Sequence, residues 1–369
     1  MKKSLLLILL ILFTFNLRAQ NLITENCSNL ITGNIGTDIA GTNAGQGGWY
    51  TRTLAPSNGN NNFQIVDVSG VNGNSIKITG FEGAAVTGAT AATTNSRFLY
   101  KSIATAWTNR DFGAEIAEVE YDFYTGAANT SGNVMRVALY DGLPFVTTTK
   151  VIAGLLITMN PFTIRGLAWY DPVANGSTGA VSSYSFGMAS DGATPPVFSE
   201  ITLTANTWYR VGFSFNKTTG EIKFKGAGIT RNSIQGASIG TEVANITLLA
   251  STGGTTALPN LSSATGTFDN LVVRASIDDT LLAIESIDVI NNSFLISPNP
   301  ANNFVKISNT DNTIINEITV TDLNGRIVKT TNFKNVSNIE VNVADLTSGV
   351  YFMNINSDKG IVTKKIMKN

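Results

Sequence analysis

The segment Trp208-Tyr209-Arg210-Val211-Gly212-Phe213-Ser214-Phe215-Asn216 decides the fold class of this chain. Its large apolar side chains recur at every second position, which is the period of a β-strand with one buried face. The turn residues Lys217-Thr218-Thr219-Gly220 follow, and Glu221-Ile222-Lys223-Phe224-Lys225 repeats the alternation. These segments predict a β-hairpin with a water-facing polar side. Its apolar side is formed by Tyr209, Val211, Phe213, Phe215, Ile222 and Phe224.

The same alternation recurs between residues 20 and 275. In Val119-Glu120-Tyr121-Asp122-Phe123 the apolar side chains face one way and the acidic ones the other. Clusters of Gly, Asn, Asp, Ser and Pro separate such segments, and no helical period persists. Residues 20–275 are therefore predicted to form one large antiparallel, jelly-roll-like β-sandwich. Its other predicted strands are Phe63–Val68, Ser75–Thr79, Val134–Tyr140, Leu155–Met159, Ile164–Tyr170, Ser182–Met188, Asn245–Leu249 and Phe268–Ala275.

A change of composition near Ser276 indicates a second domain. We predict a linker at residues 276–294 and a small Ig-like β-sandwich at residues 295–369. Short alternating segments fill this tail, and Asn324-Gly325 is a strong hairpin turn signal. The predicted fold class is all-β, a large sandwich followed by a small one.

Composition excludes several classes of function. The 369 residues include no His, which removes His-based catalytic triads and His-ligated zinc. The 25 Lys and Arg nearly cancel the 26 Asp and Glu, so no basic field gathers nucleic acid. We expect no nucleic-acid partner.

The first 19 residues have the pattern of a secretory signal peptide. Lys2 and Lys3 precede the apolar segment Leu5–Phe15, and Ala19 supplies a small residue at the cleavage point. No later segment reaches the ~18 apolar residues of a spanning helix, so no membrane-spanning segment is expected. Cys27 is the only cysteine, so no intramolecular disulfide is available. The predicted location is secreted or at the outer cell surface, reached through the periplasm.

The tail carries a series of motifs in order. They are Ile296-Ser297-Pro298-Asn299-Pro300, Val320-Thr321-Asp322-Leu323-Asn324-Gly325-Arg326, Leu346-Thr347-Ser348-Gly349-Val350-Tyr351-Phe352 and Lys364-Lys365-Ile366-Met367-Lys368. This tail resembles the type A C-terminal sorting domain of the type IX secretion system of Bacteroidetes. The residues that carry the resemblance are Pro298, Asn299, Pro300, Gly325, Gly349, Tyr351, Lys364 and Lys365.

That resemblance implies a route and partners for the chain. The type IX translocon in the outer membrane is expected to read the folded tail, and a surface sortase to remove it. The cargo is then released or attached to anionic lipopolysaccharide. In the linker, Asp279-Thr280-Leu281 fits the Asp-Ser/Thr-aliphatic pattern at which this phylum attaches O-glycans.

The large domain carries a second, looser resemblance. The segments Thr207–Phe215 and Phe268–Val273 are similar to strands of concanavalin A-like, laminin G-type jelly rolls. Such domains bind sugars by stacking aromatic rings on pyranose faces, which implies a glycan-binding or adhesion module. The candidate ligand-binding residues are Trp49, Tyr50, Trp107, Trp169 and Tyr170.

The same resemblance implies a structural calcium ion between the first and last strands. Asp269, with Asn270 nearby, is the candidate ligand, since calcium prefers carboxylate and carbonyl oxygens. We expect no other cofactor.

Two alternatives to glycan binding remain open. Glu118, Glu120 and Asp122 follow one another at two-residue steps, as in the Glu-x-Asp-x-Glu strand of retaining β-glucanases. The order of Glu and Asp differs from that motif, and an ordinary solvated strand face looks the same. A hydrolase or lyase using Glu118 and Asp122 is one alternative, and a ligand-free structural surface protein is the other.

Overall fold

The computed structural model describes residues 19–54, 59–68, 73–82, 95–252, 260, 262–282, 294–309, 314–323, 326–336, 339–357 and 360–369. The chain divides into two compact units between Leu282 and Ala283. Residues 1–18 of the predicted signal peptide and the predicted turn residue Gly325 lie outside the described residues.

The described part of the large unit is built from β-strands, with the short α-helix α1 at Ala104–Thr108. The strands are β1 Gln20–Glu25, β2 Gly33–Asn34, β3 Tyr50–Thr53, β4 Phe63–Asp67, β5 Asn74–Thr79, β6 Ser96–Ser102, β7 Ile116–Tyr124, β8 Val134–Tyr140, β9 Val151–Met159, β10 Phe162–Tyr170, β11 Ser182–Phe186, β12 Ala189–Ser190, β13 Phe198–Ser199, β14 Ile201–Thr202, β15 Trp208–Asn216, β16 Glu221–Gly226, β17 Ser233–Gln235, β18 Asn245–Ser251 and β19 Thr265–Ser276.

Most of these strands form two antiparallel sheets around one apolar core, and β12 pairs with β13 in a separate two-stranded sheet. The nine-stranded sheet has the order β17-β16-β15-β7-β19-β5-β4-β2, with β1 paired to β19. The eight-stranded sheet has the order β11-β10-β9-β8-β18-β6-β3, with β14 paired to β10. One side of each sheet supplies side chains to the core, among them Tyr121, Phe213, Leu155 and Leu248. The architecture confirms the predicted jelly-roll-like sandwich.

The predicted hairpin is confirmed as β15 and β16, and β7 pairs with the other edge of β15. Phe213, Phe215 and Phe224 are buried in the core, as the alternation predicts. The predicted water-facing side is wrong in part, because residues 277–282 lie over it and hydrogen-bond to β7 and β16. We call these six residues the strap. The strap forms the first part of the predicted linker and packs on the large unit.

The small unit is a second β-structure with its own core. Its strands are β20 Phe294–Ser297, β21 Phe304–Asn309, β22 Ile315–Thr321, β23 Ile327–Val336, β24 Ile339–Asn342, β25 Gly349–Ser357 and β26 Gly360–Lys368. They form a sheet of order β20-β21-β24 and another of order β23-β22-β25-β26. Alternate residues such as Tyr351, Met353 and Ile355 are buried between them. This confirms the small sandwich.

Candidate functional site

The acidic row of β7 is part of a buried ion-pair network. Glu118 is 0% exposed and Glu120 is 5% exposed. Arg274 of the neighbouring strand β19 donates from Nε to Glu118 at 3.3 Å and from Nη2 to Glu120. Arg210 of β15 contacts Glu120 at 3.0 Å and Asp122 at 3.4 Å. The two arginines therefore neutralise this row from both sides.

The strap closes the network from above. Thr280 donates its hydroxyl to Glu118 at 2.6 Å and its backbone N–H to the other oxygen of the same carboxylate. The backbone N–H of Leu282 donates to Glu120 at 2.7 Å. The side chain of Leu281 is fully buried, and a β-carbon built on Gly212 would lie 2.8 Å from its Cδ1. The glycine in β15 therefore leaves the space that this leucine fills.

Catalysis by this row is not supported. The oxygens of Glu118 and Glu120 already accept hydrogen bonds from Arg274 and from the strap, so a substrate has no access to them. Asp122 keeps a 24% exposed side chain but is engaged by Arg210 and by the Asn270 amide at 2.7 Å. The burial of Glu118 and Glu120 counts against the alternative of a hydrolase or lyase that uses this row, and the alternation could not reveal the segment that covers it.

Two of the five predicted ligand-binding rings are structural. Trp49 and Trp107 are fully buried. Each indole satisfies its N–H internally: Trp49 donates to Glu25 at 3.1 Å and Trp107 to Glu242 at 2.6 Å. A buried ring cannot stack on a sugar, so the expectation for these two residues is wrong.

The other three rings lie on different faces of the eight-stranded sheet. Tyr170 belongs to the inner side, where its ring contacts those of Tyr184 and Phe186 at 5.7 and 5.0 Å. Tyr50 and Trp169 belong to the outer side, on β3 and β10 respectively. Both are half-buried. We call this side of the eight-stranded sheet, turned away from the core, the outer face.

The outer face carries a row of three arginines. Arg52, Arg136 and Arg165 come from β3, β8 and β10, and the strands between them place apolar residues directly opposite. Across the sheet the row reads Arg52, Phe98, Leu249, Arg136, Leu156 and Arg165. The three arginines lie on three different strands, so the periodicity of any one strand could not reveal the row.

The three arginines differ in their partners. Arg165 forms an ion pair with Glu200 at 3.1 Å. Arg52 donates to the carbonyl of Ala40 at 2.6 Å, and its guanidinium lies 4.3 Å from the centre of the Phe145 ring. Among the described residues Arg136 has neither an ion pair nor a hydrogen-bond acceptor. It is the cation that the fold leaves unmatched at the centre of the row.

The loop between β8 and β9 covers one half of the outer face. Phe145 in this loop packs edge-on against Phe98 and Tyr100, with ring centres 6.0 and 5.5 Å apart. Tyr50 stacks on Tyr100 at 5.4 Å. At the other end of the loop, the ammonium of Lys150 lies 5.9 Å from the centre of the Trp169 ring. Between Arg136 and Trp169 the apolar residues of this face, such as Leu156 and Leu167, are buried, while the side chains of Arg136 and Trp169 are half-buried.

Buried polar atoms without partners concentrate on this face. Of the fourteen buried side-chain nitrogens and oxygens that lack a hydrogen-bond partner in the described structure, seven belong to outer-face positions of the eight-stranded sheet. Natural structures leave few such atoms, and each of them calls for a partner such as an ordered water or an ion. The seven residues are Arg52, Ser96, Arg136, Thr163, Arg165, Asn245 and Thr247.

Asp269, the predicted calcium ligand, is buried at an irregularity of β19. It accepts a hydrogen bond from the backbone N–H of Asn270 at 2.7 Å and lies 3.4 Å from the hydroxyl of Ser75. Burial raises its pKa to about 6. The described residues contain no group of three or more His, Cys, Asp or Glu side chains placed for a metal. Calcium also takes carbonyl and amide oxygens, so the calcium ion at Asp269 stays a prediction.

In the small unit the Pro298-Asn299-Pro300 motif closes the edge of β26. The Asn299 amide donates to the carbonyl of Lys365 at 2.9 Å and accepts from the N–H of Met367 at 2.8 Å. Ala301 continues the pairing through Met367 and Asn369. Since proline lacks an N–H, the asparagine side chain supplies the bonds that backbone would otherwise make at this edge.

The remaining sorting-motif residues have structural roles in the last two strands. The Tyr351 hydroxyl donates to the carbonyl of Thr347 at 2.8 Å, and Thr347 lies two residues before the start of β25 at Gly349. Lys364 lies opposite Met353, and burial lowers the pKa of this lysine. Lys365 is exposed. The two neighbouring lysines therefore face opposite sides of the sheet.

Comparison with known proteins identifies the tail. Residues 295–369 match the model of the secretion system C-terminal sorting domain family. No curated protein matches the chain by sequence.

Solved structures similar to the chain share little sequence with it. A sialidase gives a TM-score of 0.31 at 10% identity over 62% of this chain, and this chain spans only 18% of its length. The alginate lyase vAL-1 from Chlorella virus gives 0.38 at 7% identity over 58% of this chain and 88% of its own. The binding domain of botulinum neurotoxin DC in complex with rat synaptotagmin II gives 0.35 at 9% identity, covering 86% and 68%. Likenesses at this level carry no argument about function.

The described residues contain no helix with the length and apolar character needed to cross a membrane. The order of motifs, the small sandwich and the family match agree over the same residues. Residues 295–369 are a type IX secretion system C-terminal sorting domain, and the chain that carries them is an exported protein.

Proposed function

We propose that this exported protein binds carbohydrate through the outer face of its eight-stranded sheet. The observation that carries the proposal is the half-buried ring of Trp169 on the same face as Arg136, with the Lys150 ammonium beside the ring. An indole of this kind offers an apolar platform to a sugar ring. Polar groups close to it then bind hydroxyls or charged substituents.

Two observations favour this face over the nine-stranded sheet. Glu118 and Glu120 of the acidic row on the outer side of that sheet are buried under the strap, so these two carboxylates offer no ligand surface. The outer face of the eight-stranded sheet, by contrast, holds half of the buried side-chain polar atoms that lack partners in the described structure.

Binding to a panel of immobilised polysaccharides tests this proposal. We expect the full chain to bind at least one of them, and Trp169→Ala to weaken that binding about tenfold or more, as stacked aromatic rings contribute strongly to binding. Tyr170→Ala is the matched control, because this neighbouring ring lies on the inner side of the same strand. Silence across the panel would favour a ligand-free structural protein instead.

We place this binding at the cell surface or in the medium, after passage through the type IX translocon and removal of the tail by a surface sortase. The sorting domain at residues 295–369 supports this route. Deleting residues 295–369 is expected to leave the protein in the periplasm. Normal export of the shortened chain would contradict the route without bearing on carbohydrate binding.

A further inference from the structure

Arg136 occupies an unusual position for a charged side chain. Its neighbours directly opposite on β18 and β9 are Leu249 and Leu156, and along its own strand Val134 and Ala138 flank it on the same face. Its Nε atom is buried and has no acceptor among the described residues. Burying part of a cation among apolar groups without an anion costs free energy. A ligand that supplies an anion would offset that cost.

The positive charge of the Arg136 guanidinium affects the neighbouring Tyr140 hydroxyl. Burial raises the pKa of Tyr140, and the nearby positive charge of Arg136 lowers it. Tyr140 lies four residues further along β8 on the same face, between Arg136 and the Lys150 end of the loop. The tyrosine hydroxyl and the arginine therefore belong to one local environment.

The outward positions of the face carry positive charges without carboxylates. The outward positions of its strands carry Arg52, Arg136 and Arg165 and no Asp or Glu. Glu200, which pairs with Arg165, lies outside those strands. Lys150 adds a further positive charge beside Trp169. A face whose charged side chains are all hydrogen-bond donors suits a ligand that carries anionic acceptors.

The spacing of the arginines suits an extended chain. Neighbouring strands lie ~4.8 Å apart, so Arg136 lies ~10 Å from Arg165, two strands away. The planar guanidinium fork binds carboxylates and sulfates through two parallel hydrogen bonds. A polymer that repeats such a group along its length can meet several of these cations at once, while Trp169 stacks on one of its sugar rings.

We infer that the outer face selects anionic polysaccharides, those carrying carboxylate or sulfate groups along the chain, with Arg136 at the centre of the contact. This inference rests on the proposed carbohydrate binding and names its ligand class. The Nε atom of Arg136 is buried, so the terminal Nη groups make the contact.

The test compares charged polymers with their uncharged counterparts. The probes are polygalacturonate against its fully methyl-esterified form, and dextran sulfate against dextran, each titrated with the full chain. We expect at least about tenfold tighter binding to one charged polymer than to its uncharged partner, since a charged hydrogen bond contributes that much. Binding to polygalacturonate alone identifies carboxylate as the recognised group, and binding to dextran sulfate alone identifies sulfate.

Variants locate the contact. Arg136→Gln should weaken binding to the preferred polymer about tenfold, and Arg136→Lys should fall between it and the unaltered chain because it keeps the charge but not the fork. Arg326→Gln is the matched control, since it removes an exposed arginine of the small unit. Thermal unfolding of each variant shows whether the large unit remains folded.

The outcomes separate the two proposals. Equal binding to charged and uncharged polymers, unchanged by Arg136→Gln but lost in Trp169→Ala, would overturn the anionic preference and leave carbohydrate binding standing. A preference for charge that Arg326→Gln reduces as much as Arg136→Gln would overturn the assignment to this face. Failure to bind any of the four polymers or any member of the wider panel would overturn the proposed function itself.

Discussion

The hydroxyl of Thr280 donates to Oε2 of Glu118 at 2.6 Å, although 162 residues separate them in sequence. Thr280 lies beyond β19, the last strand of the large unit, and its hydroxyl supplies a hydrogen bond to a carboxylate on the central strand β7. Glu118 is fully buried as a result. The strap therefore belongs energetically to the sandwich, and its hydroxyl is not free to carry a glycan at Thr280 while the contact is formed.

The first prediction concerns this hydroxyl. Thr280→Val should lower the free energy of unfolding of the large unit by about 1–3 kcal/mol, because a buried carboxylate loses a donor. Thr280→Ser keeps the donor and should stay close to the unaltered chain. Urea unfolding followed by tryptophan fluorescence measures both. Destabilisation by Thr280→Ser without destabilisation by Thr280→Val would show that the methyl group, not the hydroxyl, matters.

The second prediction concerns the strap leucine. Leu281 is fully buried against Gly212, so Leu281→Ala should lower the free energy of unfolding by about 2–4 kcal/mol. Leu143→Ala is the control, since Leu143 is 42% exposed and its truncation should have little effect. The same urea experiment applies. A loss at Leu281 no larger than at Leu143 would mean that the strap is not packed in solution.

The third prediction concerns pH. Burial raises the pKa of Asp269 to about 6 from the ordinary 3.8. The folded state therefore binds this proton more tightly than the unfolded state, and stability falls as pH rises between about 4 and 6. The difference across this window is about 3 kcal/mol.

Asp269→Asn imitates the neutral side chain and should remove that part of the pH dependence. Urea unfolding at pH 4, 5, 6 and 7, in the presence of a chelator, compares the variant with the unaltered chain. The variant is expected to be the more stable of the two at pH 7. Parallel curves for the two proteins would show that Asp269 is ionised across the whole range.

The fourth prediction concerns the sorting domain. Asn299→Ala removes two hydrogen bonds to β26 and should lower the stability of the small unit by about 1–3 kcal/mol. Asn332→Ala, at an exposed position of β23, is the control. Limited proteolysis of the tail and the fraction of protein exported measure the effect. Unchanged protease resistance in Asn299→Ala would show that this edge closure adds no stability.

Much of the fold follows from local pattern. The period of two in β7 and β15 correctly gives which side chains enter the core, because each strand must bury one face. The opposite face is a different matter. The strap has no alternation of its own, and its burial depends on Glu118 and Glu120, which lie some 160 residues earlier. The alternation of polar residues in β7 therefore predicts a solvent-exposed face, whereas the strap covers that face in the structure.

The candidate site shows the same limit. Trp169 and Arg165 share a strand, so their common face was predictable from spacing alone. Arg136 joins them only through the pairing of β8, β9 and β10, which the sequence does not specify. The sequence around Trp49 and Trp107 does not distinguish these two residues from Trp169. In the structure their indole N–H groups donate to the carboxylates of Glu25 and Glu242, which lie far away in sequence.

The Asn299 contacts with Lys365 and Met367 join the opening motif of the tail to its last strand. During synthesis, Asn299 cannot form these hydrogen bonds until the ribosome has added Lys365 and Met367, which lie 66 and 68 residues later. A chain that stops short of Lys365, or that a protease has clipped there, presents an unclosed tail. The two ends of the tail are thus joined only in a chain whose translation has continued through its last strand.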